Sequence, residues 1–280
     1  MFFMGSWLLK SIIGITLVYL AFVGMVFWFQ EKLLFFPDHT HLDQAPQLRR
    51  LGFSIKEFTS PHGDLRYYIR RQPESQATLL VFHGNAGRAA DRGYLIQGLL
   101  NLPIDIVIAE YPGYAGSAEK PGQKSLTQNA QELFDHLMDN NLPNRILVMG
   151  ESLGTGVAVN LASQRPVQGL ILISPYPSIS KVAQFHYPYL PVSLLIRHPF
   201  PSHKWAADLK SIPVLAFHGE EDEVIPYALG EKFWQSLPAF VADKKWVSVP
   251  GAHHNDLIDS LGSQYPQQIK DHFFPSPASN

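Results

Sequence analysis

The amino end of the chain is one continuous hydrophobic run, whereas the remainder alternates between short apolar segments and amphipathic ones. The run extends from Ser11 to Gln30, and its 20 residues include no charged side chain. Because an α-helix rises about 1.5 Å per residue, such a run covers about 30 Å, the hydrocarbon thickness of a bilayer. We therefore predict a transmembrane signal anchor over residues 7–30.

A cleaved signal peptide is the alternative interpretation of this run. Signal peptides have apolar cores of roughly 7–15 residues and end in small residues, whereas this run ends in the bulky residues 25–29. A retained single-pass anchor is therefore favoured. Lys10 flanks one end of the run and Lys32 the other, so the flanking charges only weakly indicate which end of the helix faces the cytoplasm. We expect the short amino end in the cytoplasm and the domain on the exported side (periplasmic, lumenal or extracellular).

Residues 31–50 mix proline, histidine and aspartate with an apolar patch, and we predict a membrane-proximal linker there. Over residues 51–274, strand-like apolar runs alternate with helical patterns, which predicts one globular domain. Uninterrupted apolar runs are typical of parallel strands covered on both faces, and the first two favour an antiparallel hairpin. The fold class is α/β with a mostly parallel, doubly wound sheet. The predicted strands are 53–58, 65–70, 78–82, 104–110, 146–149, 170–173, 214–217 and 246–249, and the predicted helices are 125–138, 155–164 and 227–237.

Residues 175–205 interrupt this alternation. The segment contains six prolines together with Tyr187, Tyr189 and several aliphatic side chains. It is too long for an ordinary turn and too apolar for a solvated loop. We predict a cap that packs above the strand ends, where ligands bind in such sheets. The alternative is a packing insertion without substrate contact.

Composition excludes several classes of function. The formal net charge is −2 and the basic residues are dispersed, whereas a nucleic-acid surface needs concentrated positive charge. No nucleic-acid partner is expected. The chain has no cysteine, which excludes disulfides, zinc–thiolate sites and a cysteine nucleophile. Its 12 histidines show no metal-binding spacing, so we expect no metal and no other cofactor; composition leaves the oligomeric state open.

The sequence Gly150-Glu151-Ser152-Leu153-Gly154 lies between an apolar run and a helical pattern. This is the context of a nucleophile elbow, in which a strained turn lifts a serine hydroxyl above the sheet edge. Side chains at 150 and 154 would collide with the turn, and glycine avoids both collisions. The amide of Leu153 would provide half of an oxyanion hole. The alternative is a small-residue turn without chemistry, since the motif also occurs by chance.

A nucleophilic serine needs a base to remove its proton and a carboxylate to orient that base. One later strand is followed by the acidic residues 220–223, of which we select Asp222, because the following Val-Ile-Pro can turn its side chain over the sheet. The last strand is followed by His253 and His254. We select His254 as the base, because Asn255-Asp256 resembles a helix start and leaves residue 254 at the inner end of the loop. His253 is the alternative.

The second oxyanion donor should come from the loop after an earlier strand. The run 78–82 leads into His83-Gly84-Asn85-Ala86-Gly87, where small residues let backbone amides approach a substrate oxygen. We assign this donor to Asn85, through its backbone N–H and, as a further option, its side chain. The stretch lacks the Gly-Lys-Ser/Thr ending of a phosphate-binding loop.

Residues from about 51 to 272 resemble the α/β-hydrolase superfamily, and specifically its membrane-anchored, lysophospholipase-like or serine aminopeptidase-like branch. The order Ser, Asp, His along the chain is that of this superfamily. The resemblance implies Ser152 as nucleophile, His254 as base, Asp222 as acid, the amides of Asn85 and Leu153 as oxyanion donors, and a type II membrane topology. The matching segments are His83 to Gly87, Tyr111 to Tyr114 with Gly116 and Ser117, Gly150 to Gly154, Ser178-Ile179, His218-Gly219, Asp222, Ile225-Pro226 and His254 to Asp256, whereas Ala115 replaces the usual glycine.

Three functional hypotheses follow. The first is a membrane-anchored serine hydrolase that cleaves acyl esters of lysophospholipid or monoacylglycerol type through an acyl-serine intermediate. The second is an acyl-protein thioesterase or a serine aminopeptidase, since the same residues can attack thioesters and amides. The third is a catalytically silent binding module, although this chain has candidates for all three triad positions. Because fold does not dictate substrate, the lipid preference depends on the predicted anchor and cap.

Overall fold

An eight-stranded sheet forms the centre of the domain. The computed structural model describes residues 2–60, 63–140, 142, 145–241 and 243–275. The strands are β1 (Ser54–Ser60), β2 (Gly63–Arg70), β3 (Ala77–Phe82), β4 (Ile104–Glu110), β5 (Ile146–Glu151), β6 (Gly169–Ile173), β7 (Val214–Gly219) and β8 (Lys244–Val249). The helices are α1 (Phe2–Leu34), α2 (Pro46–Arg50), α3 (Gly93–Gln97), α4 (Gln123–Asp139), α5 (Leu153–Gln164), α6 (Ile179–His186), α7 (Val192–Leu195), α8 (Ser202–Trp205), α9 (Tyr227–Gln235), α10 (Leu257–Leu261) and α11 (Gln264–Phe273).

The strand order is β8-β7-β6-β5-β3-β4-β2-β1. β1 pairs antiparallel with β2, and β2 pairs antiparallel with β4, whereas every other neighbouring pair is parallel. The predicted α/β fold class and the antiparallel hairpin at its start are therefore confirmed. β3 lies between β4 and β5, so the strand order reverses there, and the carboxyl ends of strands at such a reversal form a crevice for ligands.

Successive side chains of the central strands pack on opposite faces of the sheet. Leu80 of β3 and Val148 of β5 belong to the core layer that α4 and α5 cover. Leu79 and Leu147 belong to the opposite layer, which α3, α10 and α11 cover. Because helices cover both faces, both sets of side chains are buried, which explains why these strands are apolar without interruption.

Helix α1 buries little of its surface within the domain. Among the described residues, its segment Trp7–Leu34 is the one helix long and apolar enough to cross a membrane, with a mean hydropathy of 2.3. This segment contains the predicted anchor, residues 7–30. Its side chains are largely exposed, as expected for a helix whose apolar surface has a partner other than the protein core.

Residues 31–50 are folded against the domain, which differs from the linker that their composition predicted. Leu42 and Leu48 are fully buried in the core. Phe36–Pro37 forms a two-residue parallel pairing with Ala86–Gly87, in the loop that follows β3. The apolar side chains of this segment are spaced too irregularly to indicate strand or helix, and only the packed structure shows that they complete the core.

Residues 175–205 contain α6, α7 and α8. A ring nitrogen of His186 at the end of α6 lies 2.9 Å from the carbonyl oxygen of Val224, in the loop after β7. The segment therefore borders the carboxyl ends of the strands. Whether it acts as a cap over substrate stays a prediction.

Leu48→Ala tests whether residues 31–50 stabilise the domain. Because Leu48 is fully buried, its truncation is expected to lower the free energy of unfolding by about 2–5 kcal/mol, measured by urea denaturation of the detergent-solubilised protein. Arg49→Ala, at an exposed position of the same helix, is the matched control, with an expected change below about 0.5 kcal/mol. Equal stability of the two variants would contradict a structural role for the segment.

Candidate active site

Ser152 occupies a strained turn between β5 and α5. Its backbone has φ 51° and ψ −120°, a conformation that L residues rarely adopt and that costs about 1–3 kcal/mol. Two hydrogen bonds hold the turn: the Ser152 amide donates to Ile173 O at 2.8 Å, and the Thr155 hydroxyl donates to Ser152 O at 2.7 Å. The side chain is consequently held at the carboxyl edge of the sheet.

Both glycines of the motif are required by close backbone approaches. A Cβ at Gly150 would lie 2.4 Å from the carbonyl oxygen of Gly154, within the turn itself. A Cβ at Gly154 would lie 2.2 Å from Phe82 O, which belongs to β3. The first collision is the predicted one. The second involves the neighbouring strand, so Gly154 allows α5 to start directly against β3.

The structure brings Ser152, His254 and Asp222 together in one hydrogen-bonded row. His254 Nε2 lies 3.0 Å from Ser152 Oγ. On the other side of the ring, His254 Nδ1 lies 2.8 Å from Asp222 Oδ2 and 3.0 Å from Oδ1. Because an ionised carboxylate can only accept hydrogen bonds, Nδ1 carries the proton and Nε2 is free to accept the serine proton.

Asp222 is buried, and hydrogen bonds from several elements surround its carboxylate. The amides of Val224 and Ile225 donate to Oδ1 at 3.0 and 2.7 Å, and the Ser174 hydroxyl donates to Oδ2 at 2.9 Å. Burial by itself raises the pKa of Asp222, but the hydrogen bond and charge of His254 and the amide of Ile225 outweigh it. The pKa of this carboxyl lies below its ordinary value, so the group is ionised at neutral pH.

His218 is hydrogen-bonded to the loop that contains Asp222. The ring is fully buried, and its Nε2 lies 2.9 Å from Ile225 O and 3.5 Å from Asp222 Oδ2. Burial lowers the pKa of His218, so the ring is neutral and its Nε2–H donates to the Ile225 carbonyl. This hydrogen bond fixes the turn whose amides hold the carboxylate.

Sequence reasoning missed the role of Ser174. It follows β6 directly, has φ 52° and is buried. Its hydroxyl donates the hydrogen bond to Asp222, which follows the neighbouring strand β7. A polar residue immediately after a buried strand was the available signal. The role of His218 was equally unassigned, although His218-Gly219 was among the segments that carried the resemblance.

His253 points away from this row. It is exposed, and its ring nitrogens lie 3.2 Å from Glu223 and 3.7 Å from Glu221. The hydrogen bond with Glu223 raises the pKa of His253 above its ordinary value. Of the two candidate bases, the structure places His254 beside the serine and leaves His253 on the surface.

The loop after β3 lies beside the serine. A Cβ at Gly84 would lie 3.6 Å from the Ser152 Cβ. The loop carbonyls are held by two tyrosines of the 111–114 segment: Tyr111 donates to His83 O at 2.8 Å, and Tyr114 donates to Asn85 O at 2.7 Å. Hydrogen bonds therefore hold the loop backbone in place next to the nucleophile.

Asn85 makes a contact that the sequence did not predict. Its side-chain Nδ2 donates to Leu34 O, at the end of α1, at 2.8 Å. One of the two side-chain N–H groups is thereby engaged by Leu34 O, so the assignment to the oxyanion stays with the backbone N–H of Asn85. Within the part of the chain that the structure describes, the backbone amides of Asn85 and Leu153 have no hydrogen-bond acceptor; Leu153 is the first residue of α5, where helix amides lack intrahelical partners.

Two further groups complete the surroundings. Ala115, which replaces the usual glycine, has φ 47°, so the loop keeps the left-handed conformation that a glycine would adopt without strain. Glu151 is paired with Arg92 at 3.6 Å and accepts a hydrogen bond from the Tyr94 hydroxyl. Among the residues described, no cluster of three histidine, aspartate or glutamate side chains is arranged to hold a metal ion.

The chain is similar to known proteins over most of its length. Residues 66–181 match a family model described as an alpha/beta hydrolase of unknown function. An uncharacterised protein of Mycobacterium tuberculosis is 32% identical over 89% of this chain and 89% of its own length. The lysophosphatidylserine lipase ABHD12 of Xenopus tropicalis is 33% identical over 69% of this chain, which spans about half (55%) of that relative.

Solved structures agree in fold. The esterase Pf2001 of Pyrococcus furiosus superposes with a TM-score of 0.69 at 16% identity, over 85% of this chain and 97% of the esterase. An alpha-beta hydrolase of Vibrio vulnificus gives a TM-score of 0.65 at 22% identity, over 83% of this chain and 84% of that protein. With its doubly wound sheet and its Ser–His–Asp row at the carboxyl edge, the chain belongs to the α/β-hydrolase superfamily.

Proposed function

We propose that this chain is a membrane-anchored serine hydrolase that cleaves the acyl ester of a monoacyl lipid, of lysophospholipid or monoacylglycerol type. The observation that carries the proposal is the unbroken hydrogen-bonded row from Ser152 through His254 to Asp222. A nucleophile, a base and an orienting acid in this order are what acyl transfer from an ester requires.

In the acylation step, the Ser152 hydroxyl oxygen attacks the ester carbonyl carbon while His254 Nε2 takes its proton. The resulting imidazolium is stabilised by the ionised Asp222, which is bonded to Nδ1. The tetrahedral intermediate carries its negative charge on the former carbonyl oxygen, which the amides of Asn85 and Leu153 stabilise. When the intermediate collapses, the C–O bond to the alcohol breaks, and His254 gives its proton to the departing oxygen.

In the deacylation step, water attacks the acyl-serine carbonyl. His254 Nε2 takes a proton from this water and returns it to Ser152 Oγ as the acyl–serine bond breaks. The products are the free serine, a fatty acid and the alcohol released earlier. All proton transfers use the same ring nitrogen, which the 3.0 Å contact places beside the reacting oxygen.

The lipid substrate is supported by two observations. The relative from Xenopus tropicalis is named a lysophosphatidylserine lipase. In addition, the apolar helix α1 ends at the candidate oxyanion loop, because Leu34 O accepts a hydrogen bond from Asn85. An anchor that ends at the site brings the nucleophile to the membrane surface, where lipid esters are concentrated. We place the domain on the exported side of that membrane.

The contacts of Glu151 disfavour the aminopeptidase alternative. A peptidase that removes amino-terminal residues needs an unpaired acidic group near the nucleophile to hold the substrate α-amine. Glu151 is the acidic residue adjacent to Ser152, and its charge is already balanced by Arg92 and its second oxygen bonded by Tyr94. The complete triad likewise disfavours a silent binding module.

Ser152→Ala tests the nucleophile. Purified full-length protein is expected to hydrolyse p-nitrophenyl esters, with kcat lowered at least about 10⁴-fold in this variant, and to be labelled covalently by a fluorophosphonate only when Ser152 is present. Ser163→Ala, at the far end of α5, is the matched control and should retain both activities. No turnover of any ester, with Ser152→Ala equal to wild type, would reject the proposal.

The histidine pair provides a second test. His254→Ala is expected to lose ester turnover by at least about 10³-fold, since it removes the base, whereas His253→Ala should remain within about twofold of wild type, since His253 contacts only surface glutamates. Steady-state hydrolysis of one ester by both variants measures this. A greater loss in His253→Ala than in His254→Ala would contradict the assignment.

Asp222→Asn tests the ionised acid through stability. Because the pKa of Asp222 is lower in the folded protein than in the unfolded chain, its carboxylate stabilises the fold above the unfolded pKa, and this contribution is lost as pH falls through the folded pKa. Asparagine lacks this contribution at every pH. The gap in Tm between wild type and variant is therefore expected to narrow from about pH 5 to about pH 3; a constant or widening gap in thermal melts would contradict an ionised Asp222.

A further inference from the structure

An apolar groove of about 390 Å³ lies between α1 and the 175–205 segment. One wall consists of α1 side chains between Phe22 and Leu34, and the other of side chains between Ile179 and Ile196. All lining residues except Gln30 and two tyrosines are aliphatic, phenylalanine or methionine. Such a lining binds hydrocarbon and offers few partners to a polar ligand.

Hydrogen bonds fix the two walls to each other at both ends of the groove. At the outer end, which is the end near Phe22, the Tyr19 hydroxyl donates to Tyr189 O at 2.7 Å. At the inner end, which is the end near Leu34, the Gln30 side-chain amide donates to Leu195 O at 3.0 Å and accepts from the Arg197 amide at 2.7 Å. The separation of the walls is therefore set by the protein, and α1 has a defined position against the segment.

The inner end of the groove lies beside the candidate oxyanion loop. Leu34 lines the groove, and its carbonyl oxygen accepts the 2.8 Å hydrogen bond from the Asn85 side chain. The Phe36 amide donates to Asn85 O at 2.9 Å, which continues the contact along the chain. An elongated ligand in the groove would therefore have one end beside Leu34, the residue that is hydrogen-bonded to the Asn85 side chain.

The length and volume of the groove fit one acyl chain. From Phe22 to Leu34, α1 rises about 18 Å, and one leaflet occupies about 15 Å, half of the hydrocarbon thickness of a bilayer. A volume of about 390 Å³ is near the lower limit for ligand pockets, about 300–1,000 Å³. A single extended acyl chain matches the length of the groove.

The 175–205 segment carries large apolar side chains that are exposed. Leu194 is 84% exposed, and Phe185 and Tyr189 are each 58% exposed. The segment that carries them packs beside a helix that can cross a membrane, and Tyr189 itself contacts that helix. Hydrocarbon from the surrounding leaflet is the partner that such an apolar surface fits.

We propose that the groove binds the acyl chain of a monoacyl membrane lipid, which enters laterally from the leaflet between α1 and the 175–205 segment and presents its ester carbonyl to Ser152. This inference rests on the proposed function and assigns α1 a second role. The helix forms half of the substrate-binding site in addition to holding the domain at the membrane. Chain-length preference is then set by the part of the groove that α1 and the segment enclose.

Photo-crosslinking tests the occupant without requiring turnover. Full-length Ser152→Ala protein in phosphatidylcholine nanodiscs is irradiated with a lysophosphatidylcholine whose palmitoyl chain carries a diazirine, and labelled peptides are mapped by mass spectrometry. Label is expected on both walls, within residues 22–34 and 179–196. Label confined to the lipid-facing side of α1 would overturn the proposal.

Ala183→Phe provides the matched variant, because Ala183 lines the groove and a phenyl ring there would narrow it. Ala21→Phe adds the same ring on an exposed face of α1 that does not line the groove. The first change, made in the Ser152→Ala background, should remove the label from the groove peptides, and the second should leave it. Equal labelling of both variants would contradict a chain inside the groove.

Hydrolysis adds an independent measurement with Ser152 intact. In Ala183→Phe, the ratio of kcat/KM for p-nitrophenyl palmitate to that for p-nitrophenyl butyrate should fall at least about tenfold, whereas Ala21→Phe should keep the wild-type ratio. An unchanged ratio in Ala183→Phe would overturn the assignment. A wild-type protein that cleaves no ester but is labelled in the groove would refute the proposed activity and leave the binding site standing.

Discussion

The left-handed backbone of Ser152 is the constraint on which the rest of the site depends. Such a conformation costs about 1–3 kcal/mol and persists only where the surrounding structure holds it. Here the Ile173 carbonyl of β6 accepts a hydrogen bond from the Ser152 amide. Glycine at 150 leaves room for the backbone of the turn, and glycine at 154 lets α5 start close to β3. The serine is therefore positioned by three adjacent parallel strands, and the stability of the sheet maintains the strain.

The acid side of the site is held by loops from the same sheet edge. Asp222 follows β7, and it receives hydrogen bonds from Ser174 after β6 and from His254 after β8. A buried charge is costly unless hydrogen bonds compensate it. Here the loop after β6 and the loop after β8 each contribute a side chain that is hydrogen-bonded to the carboxylate. The same contacts that offset the burial of the carboxylate fix the position of His254, so the stability of this region and the orientation of the base are not separable.

The carboxyl end of helix α1 and the residues that follow it contact the loop after β3, which lies beside Ser152. The Leu34 carbonyl accepts from Asn85, and Phe36–Pro37 pairs with Ala86–Gly87 in the same loop. Burial of Leu42 and Leu48 then continues this connection into the core. These contacts fix the position of the carboxyl end of α1 relative to the loop after β3, which a flexible linker would not do. The position of α1 is thus coupled to the geometry of the candidate site.

The sequence by itself indicated the eight strands, the amino-terminal helix and three further helices, and it pointed to Ser152, because strand burial and the glycine spacing of a tight turn are local properties of the chain. It limited the candidates for the base to two histidines. Tertiary structure placed His254 beside Ser152, hydrogen-bonded Ser174 to Asp222, and turned the Asn85 side chain toward Leu34, 51 residues earlier. Such contacts depend on the path of the chain between distant residues, and no local pattern of hydrophobic and polar positions encodes that path.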